Sequence, residues 1–205
     1  MKAIGSYKAL QVNETDAFLD VVVDKPKATG RNILVEVKAI SVNPVDTKIR
    51  KRPHPDETLR ILGWDAAGTV KEMGEDVTLF EVGDDVYYAG CITKSGSNAE
   101  YQLVDERIAA LKPTSINFGE SAALPLTTIT AWEALFERLG ISKKGNDAGK
   151  TILMIGGAGG VGSIAIQLAG QIANLKIITT ASRKESADWC IARGADHVIN
   201  HYDDI

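Results

Sequence analysis

Cysteine is scarce in this 205-residue sequence, which contains only Cys91 and Cys190. Two cysteines exclude a disulfide framework and a zinc site built from four thiolates. Both are therefore expected to lie as small buried hydrophobic side chains. The three histidines, His54, His197 and His201, show no metal-ligand spacing. The sequence thus predicts no metal site.

Long apolar runs and blocks of positive charge are also missing. No run approaches the roughly 18 residues of a membrane span, and the N-terminus lacks the apolar stretch of a signal peptide. The net charge is −4, without a basic block to follow a phosphate backbone. These absences exclude a membrane span and disfavour nucleic acid as a partner. With 44% hydrophobic and 24% charged residues, the composition is typical of a globular protein, which we expect to be cytoplasmic.

The first part of the chain, residues 1–124, is dominated by short strand patterns separated by turn residues. It predicts a compact β-rich domain that is partly barrel-like. The expected strands are Lys2–Tyr7, Leu19–Asp24, Ile33–Ile40, Gly68–Met73, Val86–Ala89 and Ala99–Val104.

The second part, residues 125–205, alternates between strand and helix patterns. Asn117 followed by Glu120 marks a helix start just before it, and a helix over Thr128–Leu139 is expected to follow. The alternation predicts one βαβαβ half of a doubly wound Rossmann fold, so the fold class is α/β plus β. Its expected elements are Thr151–Ile155, Val161–Ala173, Lys176–Thr180, Ser182–Arg193 and His197–Asn200.

A glycine-rich turn lies between the first strand and the first helix of this half. Its residues Gly157, Gly159, Gly160, Val161 and Gly162 fit the G-x-G-x-x-G pattern of dinucleotide-binding proteins. The glycines allow a tight turn, close approach of a pyrophosphate and close packing of helix on strand. The alternative is a glycine-rich connection with a structural role only.

The choice of cofactor is read about 20 residues further on, where NAD-binding sites place an acidic residue. Ser182, Arg183 and Lys184 occupy this place instead. A hydroxyl and two cations suit the 2′-phosphate of NADP, so the sequence predicts NADP(H). The alternative is that Ser182 and Glu185 form a helix capping box and that the two cations are ordinary surface charges.

Several segments of the chain together carry a family resemblance. They are Ser41–Asp46, Leu62–Val70, Gly83–Val86, Asn98–Tyr101, Leu124–Leu126, Thr130–Trp132 and Gly157–Gly162. With these segments the chain resembles the medium-chain dehydrogenase/reductase superfamily, and within it the zinc-free quinone oxidoreductase branch, often labelled zinc-type alcohol dehydrogenase-like. The resemblance implies a GroES-like catalytic domain over 1–124 and the N-terminal portion of an NADP-binding Rossmann domain over 125–205. It also implies that the chain lacks the C-terminal part of the family, and that the full-length protein is a homodimer.

The resemblance also assigns candidate catalytic residues. The family's zinc enzymes place metal ligands near Asn43 and at Gly63–Asp65, and neither segment here contains Cys or His. Without a metal, hydrogen-bond donors must stabilise the negative charge that develops on the substrate. Asn43, which the family places at its active-site cleft, is the candidate donor or nicotinamide contact, and Asp46 is expected to orient its segment. An ordinary Asx turn is the alternative.

Five further residues have more weakly defined roles. Thr130 matches a family threonine near the nicotinamide at the start of a helix, the alternative being a buried helix cap. His201 corresponds to a position beside the adenine ribose phosphate. Lys48 and His54 stand where related reductases often carry tyrosines. Asp65 is expected to cap the turn after Gly63 and not to be catalytic.

These observations predict an NADPH-dependent oxidoreductase that transfers hydride to an activated double bond or quinone. The expected substrate is a small carbonyl compound, enone or quinone, whose reduction yields an anion that hydrogen-bond donors can stabilise. The alternatives are an alcohol or aldehyde dehydrogenase and a catalytically inactive nucleotide-binding module.

Overall fold

The computed structural model describes residues 1–52, 58–200 and 202–203. His54 and His201 lie outside these residues, so their expected roles stay predictions. Within the chain, contacts divide into two compact units, Met1–Leu126 and Thr127–Ile205.

The first unit is built from two antiparallel sheets. A three-stranded sheet has the order β2-β1-β4, and a five-stranded sheet has the order β7-β3-β5-β6-β8. The strands are β1 (Lys2–Ser6), β2 (Leu19–Val22), β3 (Asn32–Ser41), β4 (Arg60–Ile61), β5 (Asp65–Met73), β6 (Asp85–Ala89), β7 (Tyr101–Asp105) and β8 (Ala109–Leu111). The β-rich prediction is confirmed, although β4 and β8 are too short to leave a clear sequence pattern.

The core of this unit lies on the five-stranded sheet. Val35 of β3 pairs with Val70 of β5, and both are fully buried. Ile33, Val86 and Tyr88 join the same cluster. Burial of each such side chain contributes roughly 1.5–3 kcal/mol to the free energy of unfolding. The five-stranded sheet is therefore the stable part of the unit, on which its short helices are positioned.

The first unit also contains two short helices. Helix α1 (Pro44–Arg50) begins after Asn43, with proline in its first turn. Helix α2 (Phe118–Ala122) begins after Asn117, whose side-chain oxygen accepts the N–H of Glu120, while the Glu120 carboxylate accepts the N–H of Asn117. The helix start predicted at Asn117 is therefore confirmed as a reciprocal capping box.

The helix expected over Thr128–Leu139 is different in the structure. Helix α3 (Pro125–Trp132) begins three residues earlier, at a proline suited to a first helical turn. A π-helical segment, Glu133–Arg138, continues it. Thr130 therefore lies in the interior of α3 and is exposed, so the expectation that it stands at the helix start, and its alternative as a buried cap, are both wrong.

The second unit contains a parallel sheet in the order β11-β10-β9 with a helix in each crossover. Its core includes Ile166, Ala169, Ile177 and Cys190, all fully buried. The predicted βαβαβ half of a Rossmann fold is confirmed. Its elements are β9 (Thr151–Met154), α4 (Gly160–Gln171), β10 (Lys176–Thr180), α5 (Lys184–Ala192) and β11 (His197–Ile199).

Two expectations about the surface can now be compared with the structure. Cys190 is buried as predicted, but Cys91 is exposed, because it follows β6 in a connecting segment outside the core. Among the residues that the structure describes, no helix is both long enough and apolar enough to cross a bilayer.

Candidate functional sites in the two units

In the turn between β9 and α4, two glycines make contacts that leave no space for a side chain. A side chain on Gly157 would overlap Thr179, and a Cβ on Gly162 would lie only 2.6 Å from the carbonyl oxygen of Gly156. Real Cβ atoms do not approach backbone oxygen so closely, so these positions need glycine for packing. By contrast, a Cβ on Gly159 would stand 3.4 Å from its nearest neighbour, the Gly156 carbonyl oxygen.

Helix α4 begins directly after this turn. The cap residue Gly159 offers no side-chain hydrogen bond to the helix, and its carbonyl accepts the N–H of Ser163 at 2.8 Å. The first N–H groups of a helix have no acceptor within the helix. Gly160, Val161 and Gly162 therefore present donors suited to an anionic pyrophosphate.

A cavity of about 330 Å³ lies beside the turn. It is lined on one side by Gly156, Ala158 and Gly159, and on the other by Ser182 and Arg183 at the end of β10. The structure therefore brings the glycine turn and the predicted cofactor-selecting residues to one cavity. Its chemistry fits a phosphate group, since it combines the backbone of the glycine turn with a hydroxyl and a guanidinium.

The predicted cationic residues around α5 differ in their contacts. Arg183 is the N-cap of α5 and makes no side-chain capping bond. The capping box proposed as the alternative for Ser182 and Glu185 is thus wrong, because the helix begins two residues after Ser182. The Lys184 ammonium pairs with Asp188 at 2.5 Å, whereas within the described part of the chain the Arg183 side chain has no hydrogen bond or ion pair.

In the first unit, Asn43 leads into α1 and is held by two carboxylates. Its backbone N–H donates to Asp46 Oδ2 at 2.7 Å, and its side-chain nitrogen donates to Asp65 Oδ2 at 2.8 Å. Asn43 and Asp46 are both buried. The expectation that Asp46 orients this segment agrees with the geometry, but the side chain of Asn43 makes more than an ordinary turn contact.

Asp65 is the residue whose importance the sequence did not reveal. It is fully buried at the start of β5, and its second oxygen accepts the backbone N–H of Leu126 at 2.8 Å. Burial raises the pKa of Asp65 to about 6, against the lowering effect of the bonds from Asn43 and Leu126. The expected role as a cap of the turn after Gly63 is therefore incomplete, because the carboxylate joins segments far apart in the chain.

A second carboxyl group lies in the same environment. Burial also raises the pKa of Asp46, although N–H groups of Asn43, Gly63 and Asp46 itself hydrogen-bond to it. Asp46 further raises the pKa of Asp65 by charge repulsion. The buried group consisting of Asn43, Asp46 and Asp65 is called the Asn43 network below.

Two further predicted residues, Lys48 and Thr130, are exposed. Lys48 lies on the exposed side of α1, and Thr130 belongs to the second unit. Within residues 1–52, 58–200 and 202–203, no group of three or more His, Cys, Asp or Glu side chains comes together.

Comparisons with known proteins show which proteins this chain resembles. Residues 29–114 match the alcohol dehydrogenase GroES-like domain. The chain is 47% identical to a zinc-type alcohol dehydrogenase-like protein of Staphylococcus epidermidis, an alignment that covers all of this chain and 61% of that protein. It is also 36% identical to the 2-methylene-furan-3-one reductase of Solanum lycopersicum, over 96% of this chain and 50% of that protein.

The solved structures that are similar to this chain indicate the same kind of protein as the sequence relatives. The quinone oxidoreductase of Escherichia coli, solved in complex with NADPH, superposes with a TM-score of 0.80 at 28% identity, covering 100% of this chain and 60% of that one. The chain therefore resembles the medium-chain dehydrogenase/reductase superfamily, as the sequence predicted. It spans about three fifths of the length of these bacterial members.

Proposed function

We propose that this protein is an oxidoreductase that uses NADPH to reduce an activated double bond or quinone. The observation that carries the proposal is the cavity shared by the glycine turn and Arg183. It is supported by the NADPH complex of the quinone oxidoreductase and by the tomato reductase, whose name describes an enone substrate. When bound, the nicotinamide cofactor would supply the hydride.

The residues of the second unit would hold the cofactor. The N–H groups of Gly160, Val161 and Gly162 would bind the pyrophosphate, because they lie at the start of a twelve-residue helix without a side-chain cap. Arg183 would bind the 2′-phosphate in a charge-assisted contact, and Ser182 would add a hydroxyl donor. Lys184 would contribute less, since it is already paired with Asp188.

The Asn43 network would act on the substrate. Hydride addition to the β-carbon of an enone moves the electron pair of the double bond onto the carbonyl oxygen, and a proton from solvent then completes the saturated ketone. The side-chain amide of Asn43 has two N–H donors: Asp65 accepts one at 2.8 Å, and the Ser41 carbonyl accepts in a long contact of 3.5 Å. The N–H in the long contact would donate instead to the developing oxyanion, with Asp46 and Asp65 as positioning residues. Thr130 would contact the nicotinamide.

The experiment is an assay of NADPH oxidation by this chain with cyclohex-2-en-1-one and with 1,4-benzoquinone. We expect oxidation with either acceptor, and one deuterium at the β-carbon of cyclohexanone when the cofactor is deuterated at its hydride position. NADP⁺-dependent oxidation of cyclohexanol, without enone reduction, would instead support the alcohol dehydrogenase alternative. NADPH binding without any turnover would support the inactive nucleotide-binding module.

Metal independence belongs to the same proposal and has its own test. We expect turnover to be unchanged after dialysis against a chelator, because the donor assigned to the substrate is the side-chain amide of Asn43. Loss of turnover on dialysis and its recovery with Zn²⁺ would contradict this part of the proposal.

A further inference from the structure

Strand β10 ends in two threonines, Thr179 and Thr180, whose side chains are both buried. Threonine is common in strands because its branched side chain suits a pleated surface. Neither residue carries a charge or belongs to the G-x-G-x-x-G pattern, so the sequence motif does not reveal a role for their hydroxyl groups. The hydrogen bonds of the two residues do.

The hydroxyl of Thr180 is bonded to the glycine turn. Its Oγ1 accepts the backbone N–H of Gly156 at 2.9 Å, and the Thr180 carbonyl accepts the N–H of Gly157 at 3.3 Å. Gly156 has a φ of +74°, in the left-handed region that favours glycine. Because glycine has no side chain that restricts its backbone, hydrogen bonds such as these must hold the turn in one conformation.

A second hydrogen bond connects this constraint to helix α4. The carbonyl oxygen of Gly156 accepts the N–H of Gly159 at 3.1 Å. Gly159 is the N-cap of α4 and stands directly before the first helical N–H groups. The N–H and the carbonyl of Gly156 flank one pair of backbone angles, so the bond to Thr180 and the bond from Gly159 together fix those angles.

The neighbouring hydroxyl of Thr179 makes a different contact. Its Oγ1 donates to the carbonyl oxygen of Met154 at 2.8 Å. The two residues are partners in the pairing of β9 with β10, and Met154 is the last residue of β9. The bond therefore holds two strands together before the turn begins. The two threonines thus form a matched pair, in which only the hydroxyl of Thr180 bonds to the turn.

Thr180 and Gly156 both line the cavity of about 330 Å³ that contains the glycine turn. We propose that Thr180 is a positioning residue of this site. Its hydroxyl holds Gly156, and through Gly156 the start of α4, in the conformation that binds a dinucleotide pyrophosphate. The inference rests on the proposed function, because it concerns the same cofactor site.

A role at the pyrophosphate has a distinct signature. Both nicotinamide cofactors contain a pyrophosphate, whereas only NADPH carries the 2′-phosphate assigned to Arg183. Loss of the Thr180 hydroxyl is therefore expected to weaken NADPH and NADH binding equally. Loss of the Arg183 guanidinium weakens NADPH binding alone.

The test compares Thr180→Val with Thr179→Val, since valine is branched like threonine and lacks the hydroxyl. Calorimetric titration should show binding of NADPH and NADH about tenfold weaker in Thr180→Val, because a hydrogen bond that orders the site is lost. Thr179→Val should bind both nucleotides within about threefold of the wild type. Thr180→Ser, which keeps the hydroxyl, should restore wild-type binding.

Urea denaturation and amide hydrogen exchange, both without nucleotide, separate positioning from a general loss of stability. Both valine variants should unfold at a lower urea concentration than the wild type, since each loses a buried bond. Only Thr180→Val should exchange the N–H groups of Gly156 and Gly159 faster. Equal weakening of nucleotide binding by both valine variants, or no recovery in Thr180→Ser, would overturn the inference.

A failure of the proposed function gives a different result. Nucleotide binding that Thr180→Val weakens, without turnover of an acceptor by the wild type, rejects the proposed reduction and keeps the inference. Turnover by a wild type whose nucleotide affinity equals that of Thr180→Val does the reverse. No nucleotide binding by the folded wild type overturns both.

Discussion

The two candidate sites are constructed in opposite ways. In the second unit, the glycine turn and Arg183 line one cavity, and the cation is exposed and unpaired within the described residues. In the first unit, Asp65 is fully buried and bonds to Asn43 and to Leu126. An exposed site can lose a contact without affecting the fold, whereas a buried network contributes to stability and function together.

The largest expected effect comes from a change in the buried Asn43 network of the first unit. Asp65→Ala removes the acceptor of two donors, the buried amide of Asn43 and the half-buried N–H of Leu126. We expect the free energy of unfolding to fall by about 3 kcal/mol, because each unsatisfied buried group costs roughly 1–3 kcal/mol. Urea denaturation followed by circular dichroism measures this loss.

The matched control is Asp65→Asn, which keeps the shape and one acceptor oxygen. Its loss of stability should be clearly smaller than that of Asp65→Ala. Equal stability of the Ala variant and the wild type would show that the network does not hold the first unit together.

A pair of glycine variants separates packing from binding in the second unit. Gly162→Ala should lower the free energy of unfolding by about 2 kcal/mol, because its Cβ would meet the Gly156 carbonyl at 2.6 Å. Gly159→Ala has room for its methyl group and should change stability by less than about 0.5 kcal/mol. It should nevertheless weaken NADPH binding, because the added methyl lies at the phosphate turn. Comparable destabilisation by both variants would contradict this distinction.

The exposed cations should affect binding without affecting stability. Arg183→Ala is expected to weaken NADPH binding about tenfold and to leave NADH binding unchanged, since only NADPH carries the 2′-phosphate. Lys184→Ala is the control, because its ammonium is already paired with Asp188, and it should weaken binding less than about threefold. Isothermal titration calorimetry measures both. Equal losses for NADPH and NADH would remove Arg183 from the phosphate site.

A change of stability with pH tests the buried network independently. The pKa of Asp65 is about 6 in the folded chain, against 3.8 for an ordinary aspartate. A raised pKa means that the folded state favours the protonated carboxyl group, so its stabilising contribution is present below about pH 4 and is lost as the pH rises through 6. The difference in unfolding free energy between the wild type and Asp65→Asn should therefore fall from pH 4 to pH 7. A constant difference would contradict the assigned environment.

The sequence predicted the local features well. The glycine turn, the capping box at Asn117 and the βαβαβ order depend on residues a few positions apart, and the structure agrees with each. The bond between Asn43 and Asp65 could not be predicted, because it depends on the pairing of β3 with β5, in which Ser41 stands opposite Asp65. The one available signal in the sequence for this bond was the carboxylate of Asp65, which directly precedes the apolar residues 66–68.

The errors have equally physical causes. The exposed position of Cys91 depends on its place after β6, and not on its hydrophobicity. Ser182 and Glu185 had the right spacing for a capping box, but α5 begins at Lys184. In both cases the tertiary arrangement outweighed the preference of the residue.

The most direct test of the proposed function is a calorimetric titration of this chain and its Arg183→Ala variant with NADPH and with NADH. The account predicts that the wild type prefers NADPH, and that the variant loses this preference while its NADH affinity and stability are unchanged. Equal binding of both nucleotides by the wild type, or no binding by a folded chain, would contradict the assignment of the glycine turn and Arg183 as an NADPH site.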